Sequence, residues 1–112
     1  MNKKIYISAP ISGYDIEERR EMFQRVKNIL RGYGYIVLNP MENGIPPESD
    51  TRQHMKADIK MMLEADEVLF LDKWLHSAGC HTEFMVATAV GMTIKFGNIN
   101  SVRLSISQVT FD

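Results

Sequence analysis

The chain has 112 residues, of which 45% are hydrophobic and 24% charged, and its formal net charge is −1. A chain of that size is expected to form one domain over 1–112 around a single core, and its near-neutral balance gives no field for gathering polymeric nucleic acid or an anionic membrane. A lone cysteine, Cys80, excludes an internal disulfide and fits a reducing cytoplasm.

Met1–Lys4 resembles a signal-peptide n-region, but Ile5–Ile11 is too short and too polar for the apolar segment that should follow. No apolar run reaches transmembrane length, so a cytoplasmic protein is expected. Lys4–Ser8 is a β-branched and aromatic run that reads as a strand, closed by the turn-rich stretch Ala9–Gly13. From Ile16 to Tyr33, residues Phe23, Val26, Ile29, Leu30 and Tyr33 recur at helical spacing, and Glu21 and Arg25 form an i,i+4 pair on the wet face. Asp15 can serve the N-terminus of this helix, and Gly32 or Gly34 stops it. A second strand, Tyr35–Leu38, ends at Asn39 and Pro40.

Met41–Gln53 shows no periodicity, and at 13 residues it exceeds the usual connection, which marks a mobile or functional loop. The next helix runs from about His54 to Glu64 with Met55, Ile59, Met62 and Leu63 as its inner stripe. Glu67–Leu71 reads as a buried strand, Asp72–His76 as a polar loop, and Phe84–Gly91 as an apolar helix that opens after Ser77. Thr93–Phe96 is a fourth strand, and Val102–Ile106 alternates apolar and polar as an edge strand would. The order β-α-β-α-β-α-β-β implies an α/β fold: a doubly wound, Rossmann-like or flavodoxin-like parallel sheet of four to five strands with flanking helices and right-handed crossovers.

In such sheets ligands bind at the carboxyl ends of strands and the N-termini of helices. Glu83 lies in the first turns of the helix that follows the buried strand, with Ser77 as a plausible N-cap and Gly79 allowing close approach of a ligand to the backbone. Exposed amides and the helix dipole are expected to keep it ionised. It reads either as a nucleophile for covalent glycosyl transfer or as a carboxylate that merely supports its own helix. Asp58 lies beside the apolar stripe of the second helix and is either a desolvated proton donor with a raised pKa or a boundary residue. Asp72 is the rival acid, whereas Asp66 precedes its strand at the far end of the sheet and reads as structural.

Tyr6, near the carboxyl end of the first strand, can reach a carboxylate at the sheet's top edge or serve packing. Ala9–Gly13 is no dinucleotide fingerprint, but Ser12 and Gly13 can offer amides to a phosphate or ribose. Cys80 and His81 invite a metal reading, yet successive helical residues point about 100° apart and no CxxC or HxxxH partner exists, so no metal is expected. Trp74 can stack on a nucleobase from the loop above the site or form a subunit contact.

Tyr6 with Pro10–Gly13, Ala57-Asp58, Ala65-Asp66 before an apolar strand, and Ser77-x-Gly79-x-x-x-Glu83 opening a helix together resemble the nucleoside 2-deoxyribosyltransferase superfamily. The likeness runs from Lys4 to about Phe96 and is nearest to the 2′-deoxynucleoside 5′-monophosphate N-glycosidases and related phage and bacterial domains of unassigned function. It implies that Glu83 attacks C1′, that Asp58 assists departure of the base, and that the Tyr6 hydroxyl orients the nucleophile. Transferases acting on free nucleosides tend to carry a carboxylate at the Ser77 position, and the monophosphate hydrolases a Ser. This chain departs from those hydrolases at Pro10 and Ser12, where they place a Ser and an Arg, at His81, and in a loop about one residue longer that carries Trp74.

The expected function is therefore cleavage of the N-glycosidic bond of a nucleoside or nucleoside 5′-monophosphate through a glycosyl-Glu83 intermediate, by hydrolysis or transfer. The alternative is a non-catalytic nucleotide-binding or sensing module of the same fold. Neither reading requires a cofactor. The resemblance also implies a homodimer or higher oligomer, with Gly97–Ser101 as a candidate shared edge.

Overall fold

Lys4–Ser8 (β1) alternates its side chains as a strand must, and both faces are buried, so no wet face remains on it. Ile5 and Ile7 point to one side, where they meet Met22, Phe23, Val26 and Leu30 of the helix Ile16–Gly32 (α1), together with Leu69, Leu71 and Leu104. Tyr6 points to the other side, into a second cluster with Met62, Val68, Phe70, Ala87 and Ile94. That second face is covered by the helices Thr51–Leu63 (α2) and Ala78–Val90 (α3). The computed structural model describes residues 2–100 and 103–108.

The remaining strands are Ile36–Leu38 (β2), Glu67–Phe70 (β3), Thr93–Ile99 (β4) and Leu104–Gln108 (β5), and the sheet order is β2-β1-β3-β4-β5. The first four are parallel, with Tyr6 opposite Leu38 on one side and Val68 on the other. β5 runs antiparallel to β4 at the edge. The fold is thus the expected α/β sheet with helices on both faces. Because the chain moves from β1 outward to β2 and then returns to β3 on the opposite side, the direction of winding reverses between β1 and β3. A crevice opens there at the carboxyl ends of the strands.

Several local expectations shift. Tyr33 is 65% exposed and caps α1 instead of packing under it, and Met22 takes the buried position. Asp15 does cap α1, accepting from the Glu18 amide. Among the described residues the ion pairs within this helix are Arg19–Glu18 and Arg20–Glu17, not Glu21–Arg25. The stretch expected to be irregular over Met41–Gln53 is shorter. A 3-10 turn at Pro40–Glu42 is capped by Asn39, and α2 begins at Thr51 because the Asp50 carboxylate accepts from the Gln53 amide. Leu63, expected inside, is 49% exposed, while Met61 packs against the core.

Expected at Val102–Ile106, the edge strand instead covers Leu104–Gln108, and Val102 falls outside the described residues. β4 runs on to Ile99 through Gly97, where a Cβ would meet the Ser105 carbonyl oxygen at 2.9 Å; the glycine admits the neighbouring backbone. Beneath the sheet, at the amino ends of the strands, Glu67 is buried and bonded to Lys95 Nζ at 2.7 Å and to the Tyr35 hydroxyl at 2.8 Å. Asp66 accepts from the Lys4 amide at the same end, in keeping with a structural role. Among the described residues no helix is long and apolar enough to cross a membrane.

Candidate functional site

A strand has a side-chain period of two, so Tyr6 and Ser8 share one face of β1, the face that α3 covers. Helix α3 starts at Ser77, whose side chain accepts from the Cys80 amide at 3.2 Å, and its inner face presents Cys80, Glu83 and Ala87 to the sheet. The two elements meet at one carboxylate. The Tyr6 hydroxyl donates to Glu83 Oε2 at 2.5 Å and the Ser8 hydroxyl donates to Oε1 at 2.7 Å. Glu83 is only 5% exposed, and both of its oxygens are held by hydroxyls from a single strand.

Burial pushes the Glu83 pKa up to about 7; the two hydroxyls pull it down, and the nearby Asp58 charge adds to the rise. The expectation that helix amides keep Glu83 ionised is therefore corrected. Glu83 lies six positions past the cap, beyond the first turn in which the dipole acts, so desolvation dominates. Tyr6 is pushed well above its ordinary value by its own burial and by the Glu83 and Asp58 charges, so its hydroxyl stays protonated and donating.

Asp58, on α2, faces the same cleft. Its pKa is raised by burial, while a hydrogen bond from Asn43 opposes the rise. Asn43 Nδ2 donates to Asp58 Oδ1 at 2.8 Å. The cleft holds about 500 Å³, enough for a nucleoside-sized ligand, and is walled by the loop after β1, by Asn43 and its neighbours, and by the start of α3.

Of the residues singled out from the sequence, Tyr6, Asp58, Glu83, Ser77, Gly79 and Ser12 all line this cleft. A Cβ at Gly79 would make only ordinary contact with Met55 at 3.6 Å, so no protein atom demands glycine there. Gly13 holds a positive φ of 86° in the turn and does not line the cleft. Trp74 does not lie above the site. It packs on Phe84 at 4.7 Å and Phe70 at 5.1 Å between centroids, and borders a separate cavity of about 400 Å³ with Asp72, Phe96 and Asn98. Ring contacts with Phe70, Phe84 and Phe96 hold the indole in this position. Asp72 therefore stands apart from the cleft and does not serve as the rival acid. Cys80 is buried with its thiol pushed up by desolvation, whereas His81 is exposed, as adjacent helical positions require. Among the described residues no group of three or more His, Cys, Asp or Glu could hold a metal ion. Of the suggested shared edge, Gly97 and Asn98 border the second cavity and Ser101 lies outside the described residues.

Sequence reasoning missed Ser8, Asn43, His54 and Arg20. Ser8 lies two residues after Tyr6, so the strand period places it on the same face. Asn43 comes from an aperiodic loop and carries no sequence signal for its role. Arg20 sits in a run of charged residues that reads as a solvated face, yet it lines the cleft, loosely paired with Glu17 at 3.5 Å.

Two carboxyls, one clamped by two hydroxyls and both lifted by burial, can divide the work of nucleophile and proton donor at a sugar's anomeric carbon. The fold is similar to the solved structure of 2-deoxyribosyltransferase from the psychrotolerant bacterium Bacillus psychrosaccharolyticus, with a TM-score of 0.66 at 18% identity, covering 91% of this chain and 77% of that one. No curated protein matches the sequence. Residues 3–96 match the family described as Domain of unknown function (DUF4406), and the chain belongs to that family.

Proposed function

We propose that this protein cleaves the N-glycosidic bond of a nucleoside or nucleoside 5′-monophosphate through a covalent glycosyl ester on Glu83. The observation that carries the reading is the carboxylate of Glu83, held at both oxygens by Tyr6 and Ser8 in a cleft that also contains Asp58. The neighbouring fold supports it, since that protein is described as a biocatalyst for the synthesis of nucleosides.

In the first step a Glu83 oxygen forms a bond to C1′ while the bond from C1′ to the base nitrogen breaks, and Asp58 delivers its proton to the departing base. Asp58, now a carboxylate, takes a proton from water as that water attacks C1′, which releases the free sugar and restores Glu83. Attack by the nitrogen of a second base gives transfer in place of hydrolysis. Arg20 is the one lysine or arginine lining the cleft among the described residues, and with Ser12 and Ser77 it supports a substrate bearing an anionic group. A homodimer or larger assembly accompanies this reading, and analytical ultracentrifugation checks it.

The test is to incubate the purified chain with deoxy- and ribonucleosides and their 5′-monophosphates and to resolve free base by chromatography. Release of base that falls at least about 10³-fold in Glu83→Ala is the expected result, because removing a nucleophile abolishes the covalent route. Tight nucleotide binding without any released base, at high protein concentration, would refute the catalytic reading and favour a sensing module.

A further inference from the structure

We infer that Asn43 is a positioning residue: it fixes which oxygen of Asp58 can carry the transferable proton and ties the β2–α2 connection to α2 as one wall of the cleft. The inference rests on the glycosidic reading for its consequence, but on separate contacts for its geometry.

The orientation of the Asn43 carboxamide is determined by its partners. Its Oδ1 accepts from the Ile45 amide at 2.9 Å, which an NH2 group in that place could not do. The amide nitrogen must therefore face the other way, where it meets Asp58 Oδ1 at 2.8 Å and His54 Nδ1 at 3.2 Å. The tautomer of His54 follows in turn. Its Nε2 lies 3.1 Å from the Pro46 carbonyl oxygen, which can only accept, so Nε2 carries the hydrogen and Nδ1 is left bare to accept from Asn43. The two N–H groups of one side chain are thus divided between the acid and the imidazole, and its oxygen holds the loop.

For Asp58 the consequence is atomic. Oδ1 already accepts an N–H, and a carbonyl oxygen accepts better than a hydroxyl one, so the bond favours the neutral acid with its hydrogen on Oδ2. Among the described residues Oδ2 has no protein hydrogen-bond partner, and Asp58 borders the cleft. Asn43 therefore presents the acid with its proton on the oxygen left for the substrate. It also favours the ionised form of Asp58, which keeps the group able to take a proton back in the second step.

Asn43→Asp separates these roles: it keeps an acceptor for the Ile45 amide and removes the donor to Asp58. The titration of Asp58, followed by carbon-13 NMR of its carboxyl group in the whole protein, is expected to move to higher pH in the variant. Release of base from a natural deoxynucleoside should fall about tenfold or more, while 4-nitrophenyl 2-deoxyriboside, whose leaving group needs no proton, should lose about twofold at most. An unchanged Asp58 titration, or equal losses on both substrates, overturns the inference. Where Asn43→Asp does not fold, Asn43→Ala gives the same two readouts. If wild type releases no base from either substrate, the glycosidic reading fails on its own and the carboxyl titration still decides the role of Asn43.

Discussion

Glu83 shows how one residue is tuned by opposing forces. Desolvation lifts its pKa to about 7, whereas the Tyr6 and Ser8 hydroxyls hold it down by favouring the charged form. Asp58 is raised as well, and the two carboxyls interact, so the protons leave the pair in two macroscopic steps. The proposed glycosidic chemistry requires the pair to hold one proton, with Glu83 charged and Asp58 neutral. Base release per enzyme, measured as kcat/KM against pH, should therefore be bell-shaped, and its basic limb should fall near pH 7, where the last shared proton departs. Ser8→Ala removes a bond that lowers the Glu83 pKa. The basic limb should move upward, and the maximum should fall about tenfold as the shared proton settles further onto Glu83. A limb that stays in place would show that Ser8 does not tune Glu83.

At the scale of elements, the central strands are buried on both faces, and the polar groups they carry must be answered within the fold. Glu67 in β3 is the demanding case. Burial alone would lift its carboxyl, but the bonds from Lys95 and Tyr35, with Lys3 at 3.5 Å, outweigh it and hold the pKa below the usual carboxylate value. Glu67→Ala leaves the partly buried Lys95 without its acid and should cost about 3 kcal/mol in urea denaturation, as breaking a buried pair does. A group whose folded pKa is depressed stabilises above its unfolded value and loses that contribution as pH falls through the folded one. The difference between wild type and Glu67→Ala should accordingly be full near neutrality and shrink at acid pH; a difference that does not change with pH would contradict the ionic account.

Which elements were legible in the sequence follows from the same packing. β1, α1 and β3 were readable because each carries the period or continuous apolar run that burial on a sheet imposes. Tyr33 and Leu63 were misplaced because they lie at helix ends, where the apolar stripe runs out past the edge of the core and an apolar residue has nothing to pack on. The start of α2 was set too late, since the Asp50 cap acts five residues before Met55, where the apolar pattern begins. The nucleobase reading of Trp74 went astray for a different reason. Trp74 begins a 3-10 turn, Trp74–His76, and its side chain is drawn into the Phe70, Phe84 and Phe96 cluster, of which Phe84 and Phe96 come from later elements.

On the scale of the whole molecule, the reversal of winding between β1 and β3 brings the faces of the sheet to a common cleft. Asp58 and Glu83 reach it from α2 and α3, and Arg20 reaches it from α1 on the opposite face. The cleft therefore has an acidic side where the glycosidic bond would be cut and a cationic side that only a substrate with an anionic substituent would use. Arg20 is 43% exposed and its pair with Glu17 is loose, so a phosphate there gains a screened, charge-assisted contact worth about 1 kcal/mol. That corresponds to roughly a fivefold change in an equilibrium constant. Arg20→Gln should raise KM for a nucleoside 5′-monophosphate by about that factor, lower its dependence on salt, and leave KM for the unphosphorylated nucleoside unchanged. Steady-state kinetics on the matched pair at two ionic strengths measures all three. Equal effects on both substrates would show that Arg20 shapes the rim of the cleft without reading a phosphate, and would shift the substrate class to free nucleosides.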